Sequence, residues 1–200
     1  MIGDSLIYES QDQIGFWMSM ANIDVQFVTL GGLAPCDFIE VGEQVANDFK
    51  PDVVILNFTG NSLSPCMDAA VPMSAQYLDS YRSDAAALTA LFADTGSRVW
   101  WTESLPHKDR FNKRVAKALD KIYASTPGIA GIIPVKEYFT TKRGRYSKRV
   151  PCRFAWERCR RGRVRVRAAD GAHLGDGPKN QAGRIRLAAI YTSFVVYTER

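Results

Sequence analysis

The sequence contains little of what metal centres and membrane spans require. Its 200 residues include two histidines, His107 and His173, and its four cysteines form no Cys-x-x-Cys pair. Because a structural zinc site draws four closely spaced ligands from such residues, we expect no metal ion and no cofactor. The longest apolar runs fall short of the ~18 residues that a membrane-spanning helix needs, so no transmembrane segment is predicted.

The composition is that of a globular protein with one very basic segment. Hydrophobic residues make up 46% of the chain and the mean hydropathy is −0.18, which fits a single domain over residues 1–200. Residues 141–167 carry twelve Lys and Arg and one acid, Glu157, whereas the rest of the chain is acidic. Such a run is typical of surfaces that bind nucleic acid, an anionic membrane or an acidic polymer, and equally of a solvated loop.

The four cysteines form two local pairs. Cys36 and Cys66 lie in loops that follow successive apolar runs, whereas Cys152 and Cys159 lie together in the basic region. Of the three possible connectivities we favour Cys36–Cys66 with Cys152–Cys159, and buried free thiols are the alternative. Paired cysteines indicate an oxidising compartment, so we expect the protein to be extracellular or in the cell envelope.

Apolar runs alternate with segments of helical periodicity. Strands are predicted at 25–30, 53–58, 99–102 and 129–135, and helices at 75–92, 111–123 and 182–197. This alternation predicts an α/β fold, a three-layer sandwich with a central parallel sheet covered by helices on both faces. Residues 136–167, called the basic segment below, break the alternation. We predict a disulfide-stapled loop there, with 164–166 as a short edge strand.

Residues suited to acyl transfer stand at both ends of the chain. Ser5 belongs to Gly3-Asp4-Ser5-Leu6, and His173 ends Asp170-Gly171-Ala172-His173. A serine nucleophile needs a base to take its proton, and His173 is the credible base. Asp170 can hold the imidazole Nδ1–H and stabilise the imidazolium as it forms. Taken alone, Asp-Gly is also a common turn.

Two further motifs, Gly31-Gly32 and Gly60-Asn61, each follow a predicted strand. Because the carboxyl ends of parallel strands share one edge of a sheet, we expect these motifs at the edge where Ser5 lies. The N–H groups of Gly32 and Ser5, with the Asn61 amide, are the kind of donors that an oxyanion hole needs. Each motif alone is also an ordinary turn or loop.

These blocks together resemble the SGNH (GDSL-type) serine hydrolases over essentially the whole chain. The conserved serine, glycine, asparagine and histidine of that family match Ser5, Gly32, Asn61 and His173, with Asp170 as the triad acid. The resemblance implies a flavodoxin-like fold and a serine esterase. Ser62 stands where many relatives carry aspartate, and the Gly-x-Ser-x-Gly elbow of α/β-hydrolases is absent.

A finer resemblance concerns Gly32-Leu33-Ala34-Pro35-Cys36-Asp37, with Cys66 after the asparagine block. It is similar to actinobacterial members, which are mostly exported and linked to carbohydrate or cell-envelope esters. Only Met1 and Ile2 precede the nucleophile loop, so we expect that part of the first strand, and a signal or anchor, are missing upstream. Arg167 can grip a substrate carboxylate or phosphate, or be one more loop cation.

Three functions fit these observations. A serine esterase would hydrolyse short acyl esters, such as acetyl esters of a glycan, as the resemblance implies. An O-acyltransferase on envelope glycans would use the same residues, and the partition of acyl groups between water and a glycan hydroxyl discriminates the two. A non-catalytic module would bind an anionic polymer through the basic segment, with salt-dependent binding that survives Ser5→Ala. The expected partner is an ester substrate, with no nucleic acid.

The cysteine pairing predicts that the oxidised protein has no free thiol. Alkylation of the native, unreduced protein is expected to modify none of the four cysteines, because each sulfur is held in a disulfide. Mass spectrometry of the intact chain measures this directly, and the reduced, unfolded chain provides the control with four modified thiols. Four alkylated thiols in the unreduced protein would contradict both the pairing and the oxidising compartment.

Overall fold

The computed structural model describes residues 1–175, 177 and 180–198. The chain divides into two compact units. The first comprises Met1–Tyr8, Gln26–Ser104 and Arg114–Ile133, and the second comprises Glu9–Val25, Leu105–Lys113 and Pro134–Arg200. That residues 1–200 form a single domain stays a prediction.

The first unit contains a five-stranded parallel sheet. Its strands in chain order are β1 (Ile2–Gly3), β2 (Val28–Thr29), β3 (Val53–Asn57), β4 (Arg98–Thr102) and β5 (Ile129–Ile133), and their spatial order is β2-β1-β3-β4-β5. Ile2 pairs with both Val28 and Leu56, so β1 lies between its two neighbours. The carboxyl ends of β1, β2 and β3 therefore point to one edge, where the loops that follow them meet.

The described part of the chain forms five α-helices. They are α1 (Ser5–Met20), α2 (Ile39–Asp48), α3 (Ala75–Ala93), α4 (Arg110–Ala124) and α5 (Ala182–Thr198). The helix α3 begins where Ser74 caps it, since the Ser74 hydroxyl accepts from the Tyr77 N–H at 3.1 Å. The predicted α/β fold with a central parallel sheet flanked by helices is confirmed. Among the described residues, the helices are too short or too polar to cross a membrane.

The strand that differs most from its apolar run is the one predicted over 25–30. The sequence predicts a strand over 25–30, whereas β2 contains Val28–Thr29. The reason is its partner: β1 has two residues, and a ladder cannot extend beyond the strand it pairs with. The flanking bonds, Val28 N–H to the Met1 carbonyl and Leu30 N–H to the Gly3 carbonyl, close the ladder at both ends.

The core of the first unit centres on the aromatic side chain of Trp101 in β4. Trp101 is fully buried, stacks on Tyr123 with ring centroids 4.2 Å apart, and lies 5.9 Å from the Phe58 ring. Its indole N–H donates to the Thr89 hydroxyl at 2.9 Å, so the buried polar group is satisfied. This packing fixes β4 against α3 and α4, the helices that carry Thr89 and Tyr123.

The basic segment is more regular than the sequence predicts. A short 3₁₀ helix, Lys136–Phe139, is followed by an antiparallel pair, β6 (Arg149–Pro151) and β7 (Arg163–Arg165). The predicted strand at 164–166 therefore exists as β7, but it pairs with β6 in a sheet of its own and not at the edge of the main sheet. The reason is local: the hairpin supplies β7 with a partner from within the segment.

A buried ion pair ties the basic segment to α5. The guanidinium of Arg186 contacts Glu157 Oε1 through Nε at 2.6 Å and Nη2 at 2.5 Å, and both side chains are inaccessible to solvent. Arg186 also donates to the carbonyls of Tyr138 and Pro151. The other Glu157 oxygen accepts from the Arg153 N–H at 2.8 Å. A charged pair out of water needs such a full set of partners.

We expect that Arg186→Met destabilises the protein by about 3–5 kcal/mol, because it leaves the buried Glu157 carboxylate without its counter-charge. The matched control is Arg82→Met, which breaks the exposed Arg82–Asp79 pair and should cost at most about 1 kcal/mol. Urea unfolding of both variants measures the difference. Equal, small losses would show that the buried pair does not anchor the segment.

Candidate active site

The loop after β1 is organised by the buried carboxylate of Asp4. One oxygen, Oδ2, accepts from the Thr59 N–H and hydroxyl, both at 2.6 Å, and from Asn61 Nδ2 at 3.0 Å. The other oxygen accepts from the Leu6 N–H at 3.3 Å. Asp4 thus joins the loop after β1 to the loop after β3. Asp4 belongs to the Gly3-Asp4-Ser5-Leu6 motif, but the motif alone predicts no role for it.

Ser5 begins α1 and lies against the Gly31-Gly32 turn. A Cβ added to Gly31 would stand 3.6 Å from Ser5 Cβ, so the turn after β2 packs directly beside the serine. Gly32 adopts φ +83°, in the left-handed region that favours glycine. The structure therefore brings together two of the predicted oxyanion-hole positions, Ser5 and Gly32, within the first unit.

Asn61 is held by both its side chain and its backbone. Its Nδ2 donates to Asp4 and, at 2.9 Å, to the Leu33 carbonyl in the loop after β2. Its own carbonyl accepts from the Tyr81 hydroxyl at 2.9 Å. Both side-chain N–H groups are therefore engaged in this arrangement. Asn61 can donate to an oxyanion only when it exchanges one of these two contacts.

Three buried tyrosines fix the loop that carries Asn61. Besides Tyr81, the Tyr77 hydroxyl donates to the Gly60 carbonyl at 3.0 Å and the Tyr123 hydroxyl donates to the Phe58 carbonyl at 3.2 Å. Burial raises the pKa of all three tyrosines, so the hydroxyls stay protonated donors. Gly60, with φ +99°, has no room for a side chain, since a Cβ would lie 2.8 Å from the Tyr77 hydroxyl.

In the second unit, Asp170 and His173 form a hydrogen-bonded couple. Asp170 Oδ2 lies 2.5 Å from His173 Nδ1, and Oδ1 accepts from the N–H groups of Ala172 at 2.9 Å and His173 at 3.1 Å. Partial burial raises the pKa of Asp170, but the hydrogen bonds from His173 and Ala172 outweigh it and hold that pKa below its usual value. The carboxylate is therefore ionised and fixes the ring through Nδ1.

Side chains of the basic segment donate hydrogen bonds to the loop that carries His173. The Arg167 guanidinium, 1% exposed, donates to the carbonyls of Ala172 at 2.6 Å and Pro106 at 3.0 Å. Burial lowers the pKa of Arg167 to about 10, so it remains cationic at neutral pH. The Tyr146 hydroxyl donates to the Gly171 carbonyl at 3.0 Å. These contacts favour the loop-supporting role of Arg167, and its binding of substrate stays a prediction.

A second carboxylate, that of Glu9 in α1, faces the other nitrogen of the histidine. Glu9 Oε1 lies 3.4 Å from His173 Nε2, and Glu9 Oε2 lies 3.5 Å from the Arg184 guanidinium. Burial raises the pKa of Glu9, and the nearby His173 and Arg184 only partly offset this. Glu9 is not among the site residues predicted from the sequence. Its spacing of four residues from Ser5, one helical turn, is the signal that could have found it.

Both disulfides form with the predicted pairing, Cys36–Cys66 in the first unit and Cys152–Cys159 in the second. Each lies beside a carboxylate, Asp37 or Glu157, in a cluster that would otherwise have metal-ligand geometry. Because the sulfurs are joined to each other, these cysteines offer no thiolate for a metal ion.

The predicted site residues therefore fall into two groups. Ser5, Gly32 and Asn61 belong to the first unit, and Asp170 and His173 belong to the second. Within each group the side chains or loops are in contact, as described above. That the two groups act together on one substrate stays a prediction.

Comparison with known proteins places this arrangement in a family and a fold. The profile of a family described as "Protein of unknown function (DUF459)" matches residues 1–189. No curated protein matches the sequence. Similar solved structures include a Bacteroides fragilis protein assigned as an acylhydrolase, a GDSL-like lipase from Bacteroides thetaiotaomicron and a family 3 carbohydrate esterase from Clostridium thermocellum.

The similarity to these structures extends over nearly the whole chain. Their TM-scores are 0.61, 0.60 and 0.56, at 16%, 13% and 14% identity. The matches cover 100%, 98% and 98% of this chain and 86%, 86% and 94% of the three structures. At such identities the likeness concerns the fold. The fold of the SGNH hydrolases, which the sequence motifs predicted, is confirmed.

We expect Glu9→Gln to stabilise the protein at pH 7 but not near pH 3. The pKa of Glu9 is raised in the folded state, so ionisation costs stability above that pKa and costs nothing once the carboxyl is protonated in both states. Urea unfolding at the two pH values measures this. The exposed Glu43→Gln in α2 is the control, with little change at either pH. A less stable Glu9→Gln protein at pH 7 would contradict this balance.

Proposed function

Because the chain belongs to the DUF459 family and has the fold of the SGNH hydrolases, we propose that it is a serine ester hydrolase. Ser5 is the nucleophile, His173 is the general base and Asp170 orients the histidine. The observation that carries this proposal is the Asp170–His173 couple, with Nδ1 held at 2.5 Å by an ionised carboxylate. Because Nδ1 carries the hydrogen that binds Asp170, Nε2 is the nitrogen that can accept a proton.

The reaction follows two symmetrical steps. His173 Nε2 takes the Ser5 proton as Oγ attacks the ester carbonyl, and the negative charge collects on the carbonyl oxygen. The tetrahedral intermediate then expels the alcohol, which leaves with the proton from Nε2, and an acyl-serine remains. Water attacks this ester with the same base, and collapse releases the acid and restores Ser5.

The oxyanion is stabilised by donors that are rigid before substrate arrives. The N–H groups of Ser5 and Gly32 are backbone donors, and the packing of the Gly31-Gly32 turn against Ser5 supports their joint action. Asn61 is the third donor, and it exchanges its contact with Asp4 or Leu33 for one with the oxyanion. The two backbone donors cost no reorganisation when charge develops, whereas Asn61 must first release one of its contacts.

Glu9 assists the same chemistry by its charge. The imidazole gains positive charge when it accepts the Ser5 proton, and it then faces carboxylates through both nitrogens, Asp170 at Nδ1 and Glu9 at Nε2. Glu9 follows Ser5 by one turn of α1, which supports a role near the nucleophile. A half-buried acid whose ionisation costs stability is often retained because function needs it.

The substrates that we propose are short acyl esters, such as acetyl esters, carried by a carbohydrate. One of the similar structures is a carbohydrate esterase, which supports this choice of alcohol. The two disulfides support a site of action outside the cytoplasm, where envelope and extracellular glycans are found.

The proposal predicts that a fluorophosphonate probe labels Ser5. Peptide mass spectrometry should find the adduct on Ser5 in the wild-type protein and none in Ser5→Ala. In His173→Ala the labelling rate should fall by about 1,000-fold or more, because the serine loses its base. Turnover of p-nitrophenyl acetate should fall in parallel.

The control is His107→Ala, which removes the other histidine of the chain and should label at the wild-type rate. Circular dichroism establishes that each variant is folded. A folded wild-type protein that takes no label, or a Ser5→Ala protein with full turnover, would overturn the mechanism.

A further inference from the structure

The basic segment presents a surface of one sign of charge. Of its twelve Lys and Arg between residues 141 and 167, all but Arg165 and Arg167 are exposed. The one acid in that range, Glu157, is buried and paired with Arg186. Eight of these ten exposed cations are arginines, and residues 141–167 offer them no exposed acid. The other acid of the basic segment, the exposed Glu137, precedes this range.

This surface is held in a defined conformation. The Cys152–Cys159 disulfide, the β6–β7 pairing and the Arg186 contacts with Tyr138 and Pro151 connect it at several points. The buried Arg186–Glu157 ion pair distinguishes the segment from a mobile, solvated loop. Because its backbone is already ordered, the segment loses little conformational entropy when it binds a partner.

Aromatic rings lie within the same surface and pack mainly on one another. Phe154 stacks between Tyr138 and Trp156, at centroid distances of 6.1 and 5.2 Å. Trp17 packs on Trp156 at 5.6 Å, and the Arg153 guanidinium lies 6.0 Å over the Tyr138 ring. Single-stranded nucleic acids bind by stacking bases on open ring faces. Here Tyr138 and Phe154 are only partly exposed and already stacked, and Trp156 is 38% exposed.

We propose that the basic segment binds an anionic polysaccharide, with its exposed arginines on the carboxylate, sulfate or phosphate groups of the polymer. Planar guanidinium groups bind such anions in pairs of parallel hydrogen bonds. The inference rests on the proposed function in one respect, since it names the polymer that carries the esters. The disulfide within the surface supports a partner found outside the cytoplasm.

The test measures binding of the full chain to polygalacturonate by titration calorimetry, in a Ser5→Ala background. The test variant combines Arg143→Gln, Arg160→Gln and Arg161→Gln. The matched control combines Lys113→Gln, Arg114→Gln and Lys117→Gln, which removes the same charge from exposed positions of α4. We expect about tenfold weaker binding and a shallower salt dependence in the test variant, and a change within about twofold in the control.

Equal weakening in both variants would overturn the proposal, because net charge alone would then explain binding. Single-stranded DNA of equal charge is the second probe, and binding as tight as that of polygalacturonate, or tighter, would also overturn it. Neutral dextran should not bind. Binding is measured in the Ser5→Ala protein, so its result does not depend on the esterase mechanism. Likewise, a failure to bind the polymer would not change the labelling of Ser5.

Discussion

The loops of the first unit depend on one buried carboxylate. Asp4 directly follows β1. Its carboxylate oxygens accept hydrogen bonds from Thr59 and Asn61 in the loop after β3 and from Leu6 in the first turn of α1. A buried carboxylate without such donors would be costly, so the loops must adopt the conformation that supplies them. The position of Ser5, the neighbour of Asp4, follows from this requirement.

The same unit uses tyrosine hydroxyls to fix backbone carbonyls. Tyr77, Tyr81 and Tyr123 come from α3 and α4, the helices whose apolar faces form the core, and each hydroxyl reaches a carbonyl between Phe58 and Asn61. The packing of these helices therefore also determines where the loop lies. A loop held in this way has little freedom to adapt to a substrate, which suits donors that must be aimed in advance.

The sequence predicted those features that local spacing determines. The helices α3, α4 and α5 were found within a residue or two because their apolar periodicity is long, and Asp170 is three residues from His173, within reach of any tight turn. The features that were missed depend on distant partners. The extent of β2 is set by β1, and the order in the basic segment is set by Arg186 of α5.

Glu9 illustrates the same limit within the candidate site. It meets His173 across a separation of more than 160 residues, and no pattern within either neighbourhood requires that contact. Its spacing from Ser5 is informative only to a reader who already knows that the helix begins at the serine. The pairing of Glu9 with Arg184 is equally a product of the fold, since Arg184 lies in the first turn of α5.

Arg167 and Tyr146 connect the basic segment to the loop that carries His173. Both side chains belong to the basic segment, and both hold carbonyls of the loop between Gly171 and Ala172. A partner that shifts either side chain changes the support of the histidine loop, and by reciprocity a ligand on the histidine then changes the affinity for that partner by the same factor. Polymer binding and ester hydrolysis, as proposed above, would thus be coupled through two hydrogen bonds.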